Sequence, residues 1–129
     1  MQYKFYTVYQ NNSGGHFLIN KPDGIAILVS IEASSASDAN RRLKEITTNY
    51  SEYCDCCGER WDYFDEEDGT NIPSYYDKPI LDLIISKRDP FIKNAAIHFV
   101  NGAIEWLYAN IVDDILLENK DGDNNEKLQ

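Results

Sequence analysis

Residues 53–61 read Tyr-Cys-Asp-Cys-Cys-Gly-Glu-Arg-Trp, with all three cysteines of the chain inside four positions. Cys54 and Cys57 stand in C-x-x-C register and Gly58 follows, which is the shape of a zinc knuckle. In such a turn successive backbone N–H groups point at the thiolates, and the glycine supplies a positive φ. Zinc takes four tetrahedral ligands and soft thiolates suit it, so this segment supplies two of the four. No second C-x-x-C is present. Cys56 is a weaker third ligand, because its side chain is expected to diverge from that of Cys57. Of the two histidines, His16 belongs to a glycine loop that can reach the cluster, whereas His98 lies in an expected strand. The zinc reading therefore names Cys54, Cys57 and His16, then Cys56, and zinc is the one cofactor suggested. A dithiol redox pair is the second chemistry, but surrounding carboxylates should raise rather than lower the thiol pKa. The third reading is a packed glycine turn whose cysteines act as small apolar groups beneath Trp61. The packed turn ranks ahead of zinc, and zinc ahead of redox.

A second candidate is the loop Asn11, Asn12, Ser13, Gly14 and Gly15. Its composition would suit a phosphate cradle, yet it lacks the lysine and the strand–loop–helix setting of a P-loop. The plainer reading is a loop between strands whose asparagines bond the backbone. No base is assignable to Ser13. Glu66–Asn71 is rich in carboxylates but misses the spacing of a calcium loop. With Arg60 and Trp61, residues 11–15 make up the candidate ligand- or partner-binding set. No catalytic constellation is assignable, so the reading leans away from an enzyme.

Charge narrows the partners. The 129 residues carry a formal −10. Residues 52–68 hold eight acids against Arg60, and residues 113–129 hold six against two lysines. Direct nucleic-acid binding wants a basic stripe, and there is none. Tyr53, Trp61, Tyr63, Phe64, Tyr75 and Tyr76 interleave with acids in the long loop, and aromatic anchors with a charged rim suit a protein interface. Arg60 is expected to pair with Asp62 or Asp65. No leader and no membrane span are visible, and three local cysteines suit a reducing compartment.

These residues need elements to position them. Residues 3–9 alternate as a strand, and Lys21–Gly24 is a turn signal between a strand at 16–20 and an apolar, central one at 25–31. Ser35 with Asp38 resembles a capping box. Ala36, Ala39, Leu43 and Ile46 then fall on one face of a helix over 36–48. Residues 49–79 form a long acidic loop, 78–89 a short helix, and 93–109 a hairpin turning at Asn101-Gly102 with both residues at positive φ. Asn110 would cap a last helix carrying Ile111, Ile115 and Leu116. The fold expected is α+β: one domain over 1–118, an antiparallel sheet of four or five strands with one main helix packed on it, and a disordered acidic tail at 119–129.

The segments at 10–17, 29–42, 54–61 and 98–106 resemble, in that order, a family of small uncharacterised proteins of tailed bacteriophages. The asparagine–glycine loop and the cysteine–glycine–arginine–tryptophan segment carry most of the resemblance. It implies a phage origin and the cytoplasm of an infected bacterium, and no mechanism. The function expected is a non-enzymatic accessory protein that binds or inhibits a host or phage macromolecule. A binder or hydrolase of a nucleotide-like ligand, and an acidic mimic of nucleic acid, are the alternatives. Oligomeric state is not legible.

Overall fold

The computed structural model describes residues 2–12, 16–51, 58–86 and 91–108. Cys54, Cys56, Cys57, Ser13, Gly14, Gly15 and the expected C-terminal helix and tail lie outside these residues.

β1 (Lys4–Tyr9), β2 (Leu28–Ala33), β5 (Asn94–His98) and β6 (Ile104–Tyr108) form one sheet in the order β1-β2-β5-β6. Between β2 and β5 come α1 (Ala36–Ile46), a 3₁₀ turn at Glu66–Asp68, the small hairpin β3 (Ser74–Tyr75) and β4 (Lys78–Pro79), and α2 (Ile80–Ser86). The α+β class, the four-stranded sheet and the main helix are those expected. The sheet is mixed, however: β2 and β5 run parallel, while β1/β2 and β5/β6 are antiparallel. Parallel neighbours need a long crossover, and the chain between Ala33 and Asn94, with both helices, provides it. A central parallel pair is covered on both faces, which explains why residues 25–31 leading into and through β2 are apolar except for Ser30.

Alternation assigns the faces. Tyr6, Val8, Val29 and Ile31 share one face and pack with Ala36, Ala39 and Leu43 of α1. Tyr9, Leu28 and Ala95 share the other, beneath Ile80 and Ile84 of α2. The helix expected near 78–89 is α2, and it gives the sheet a second apolar cover.

The strand expected at 16–20 is reduced to a single bridge between Asn20 and Ile25 around the turn at Lys21–Gly24. At the β5–β6 turn only Gly102 has positive φ (93°), and the connection has three residues, since Phe99 N–H donates to Ala103 C=O (2.8 Å). This corrects the expected two-residue turn. Asn101 instead uses its Oδ1 to accept from Ala103 N–H at 2.9 Å. The pattern is a type I turn closed by a glycine bulge. The two-residue turn with positive φ at both positions occurs at Tyr76 (51°) and Asp77 (64°), between β3 and β4. Among the described residues no helix is long and apolar enough to cross a membrane.

Candidate functional site

β1 is an edge strand, and it is clamped at both ends. Phe5 N–H donates to Thr70 C=O (2.8 Å) and Thr70 N–H donates back (2.9 Å). Beyond the other end, Asn11 N–H donates to Arg60 C=O at 2.8 Å. Between Arg60 and Thr70 the chain arches away from the strand. The space it leaves is a groove of about 390 Å³ floored by Thr7–Tyr9. The arch is one wall and the β3–β4 hairpin is the other.

The arch is held from the protein's interior. Trp61 and Phe64 are buried against the α1 face of the core. Trp61 Nε1 donates to Tyr50 C=O at 2.8 Å. Asn40 of α1 grips Phe64 twice, accepting from its N–H (2.7 Å) and donating to its C=O (3.0 Å). Glu66 accepts from Ala36 N–H at 2.6 Å, so the arch caps α1. The groove wall is thus fixed by contacts inside the domain.

Arg60 sits beneath this wall, with 2% of its surface exposed. Its Nη1 donates to Gln10 Oε1 (2.8 Å), Asn11 C=O (3.3 Å) and His16 C=O (3.0 Å). The described partners are therefore a side-chain amide and backbone carbonyls, in place of the expected Asp62 or Asp65. Asn11 Nδ2 donates to Glu59 C=O at 3.0 Å. The loop after β1 and the segment after the cysteines are brought together as one end of the domain. Their best-placed polar groups join the two segments. Trp61 is 7% exposed, so Arg60 and Trp61 shape a surface from below. Asn12 lies with Tyr9 and Phe17 around a neighbouring depression.

The exposed face of the groove belongs to other residues. Tyr63 (69% exposed) and Tyr76 (83%) stand on opposite walls. Asp62, Glu67, Asp68 and Asp77 line it too, and among the described residues no lysine, arginine or histidine does. The Tyr75 and Tyr76 ring centroids are 4.6 Å apart, and Tyr75 packs on Tyr9 at 5.6 Å. Of the six aromatics that interleave with acids in the sequence, Tyr63, Phe64, Tyr75 and Tyr76 line the groove, Trp61 is buried beneath it and Tyr53 lies outside the described residues. Thr7 carried no signal, because its role comes from its place on a sheet edge. Burial, and then Glu66 and Asp68, push the Tyr6 hydroxyl pKa up, so it stays protonated at neutral pH.

The histidines separate clearly. His16 is exposed, and Arg60 draws its backbone to the end of the domain that carries Gly58. His98 is buried, and its Nε2–H donates to Gly24 C=O at 2.8 Å. Burial holds the His98 pKa below its ordinary value, so the ring is neutral. Among the described residues no group of three or more His, Cys, Asp or Glu could hold a metal ion.

Fold and groove together define a small α+β domain with an acidic, tyrosine-walled cleft on a clamped edge strand. The chain matches the model of a family described as a domain of unknown function (DUF7296) over residues 3–117, and it belongs to that family. No curated protein and no solved structure matches it.

Proposed function

We propose that the protein is a non-enzymatic binding module that docks through the β1-edge groove on a basic surface of another protein. The observation that supports this best is the groove's composition: tyrosine rings on both walls, four carboxylates, and no basic side chain among its described lining residues. Rigid aromatic rings supply contact area at low entropic cost, and a charged rim selects the partner. A phosphate-bearing ligand would be repelled by the same carboxylates, which counts against the nucleotide reading. The resemblance to phage proteins makes a host or phage protein in the cytoplasm of an infected bacterium the proposed partner.

A structural zinc on Cys54 and Cys57, with His16 as the next ligand, belongs to this proposal as a fastening for the same end of the domain. Two observations support it. Gly58 has the positive φ (85°) that a C-x-x-C-G turn needs, and the His16 backbone is anchored by Arg60, three residues beyond Cys57. Chelation should then lower the melting temperature, and Cys54→Ser should reproduce the loss. A melting curve unmoved by chelator contradicts the zinc.

The binding reading is tested on the partner complex. Asp62→Asn with Glu67→Gln should weaken it by about tenfold or more and flatten its salt dependence. An affinity unchanged in that variant overturns the reading.

A further inference from the structure

Alternation along β1 decides which peptide groups face the groove. Gln10 N–H donates to Ile27 C=O (2.7 Å), toward the sheet, whereas Phe5 and Asn11 bond outward, to Thr70 and Arg60. In an antiparallel pair the main-chain groups of successive residues point alternately toward the partner and away from it. Thr7 has the same parity as Phe5 and Asn11, so its N–H and C=O point outward, between the two clamps. Its side chain confirms the register, since Thr7 Oγ1 donates to Ser30 Oγ across the strands at 2.9 Å. The groove therefore has a strand-edge peptide group on its floor, tyrosine rings on its walls and carboxylates around them.

We propose that this groove takes an arginine side chain presented by the partner protein, an inference that builds on the binding-module reading above. A guanidinium is planar and carries five N–H donors, so it can meet a carbonyl and a carboxylate in its plane while its face lies on a tyrosine ring. It is also weakly hydrated, so moving it between rings costs less than moving an ammonium. A lysine ammonium is a compact, strongly hydrated point charge with no face to stack. An apolar side chain would leave the Thr7 peptide group and nearby carboxylates covered without partners. An anionic one would meet four carboxylates. The volume of about 390 Å³ accommodates the side chain with part of its flanking backbone.

The probes are acetyl-Gly-Arg-Gly-amide and its lysine and citrulline counterparts, titrated into the ¹⁵N-labelled full chain. The arginine peptide should shift the amides of Thr7, Tyr63 and Tyr76. The lysine peptide should bind about fivefold more weakly, and the neutral citrulline peptide about tenfold more weakly. Glu67→Gln with Asp77→Asn should lose about tenfold while the rest of the amide spectrum stays in place, which shows the fold intact. Equal binding of lysine and arginine, shifts confined to another surface, or no shift with millimolar arginine peptide each overturn the inference. A partner found seated on the groove while the arginine peptide fails would remove this inference alone.

Discussion

Among the described residues, Tyr76 and Asp77 are the non-glycine positions whose backbone has positive φ, against what their side chains prefer. A bulky L-residue at positive φ costs about 1–2 kcal/mol, and Asn-Gly is the usual solution for such a turn. The chain has an Asn-Gly pair at 101–102, yet uses it in a longer turn. The tyrosine at the tight turn is 83% exposed, so core packing does not offset the strain. Strain at an exposed aromatic residue on a groove lip fits the proposed contact role. Tyr76→Asn with Asp77→Gly should therefore raise stability by about 1–2 kcal/mol in denaturant unfolding while weakening partner binding. Gly24 shows the opposite logic. It has φ +68°, and a Cβ there would fall 2.4 Å from His98 Cε1. Gly24→Ala should cost about 2 kcal/mol or more. His98 itself makes stability depend on pH. Its native pKa is lowered, so below an unfolded value of about 6.5 the unfolded chain binds a proton that the native chain refuses. Its contribution is complete above that pH and is lost as the pH falls from there toward the native value. In His98→Gln this part of the acid loss should be absent from melting curves recorded between about pH 7 and pH 5.

At the scale of elements, the sequence was most legible where one rule acted alone. α1 announced itself by period, and Ser35 Oγ accepts from Asp38 N–H at 3.1 Å as an N-cap, while the Asp38 carboxylate accepts from the Ser34 hydroxyl (2.8 Å) in place of the return bond of a capping box. Leu43, 1% exposed, should cost about 2–4 kcal/mol on truncation to alanine in chemical denaturation, and Ser35→Ala about 1 kcal/mol. The second cap, from Glu66, was not legible, because it joins residues thirty apart through a carboxylate that the sequence presents as part of an acidic run. Pairing between strands distant in sequence was hidden for a related reason. Local alternation identifies a strand and its faces but carries no information on its neighbours, so the parallel β2–β5 pair, with sixty residues between its strands, appeared only in the fold. The edge position of β1, and with it the groove, follows from that topology.

The whole molecule concentrates its formal charge of −10 in two stretches, and the described part of the first forms one wall of a cleft. Buried Trp61 and Phe64, with hydrogen bonds to Asn40, Tyr50, Phe5 and Asn11, fix that wall to α1, to Tyr50 and to both ends of β1. The groove proposed to meet a partner is accordingly preformed, which would lower the ordering cost of binding. The most direct measurement is site-specific photo-cross-linking in the cell in which the protein acts. A benzophenone side chain is placed at Tyr63 or Tyr76, and at Arg41 on the exposed face of α1 as the control. One protein should be captured from both groove positions and not from position 41, and the capture should fade when Asp62→Asn and Glu67→Gln are added. Capture of that protein from position 41 with none from positions 63 and 76, or capture indifferent to the two neutralised acids, would contradict the groove as the binding surface.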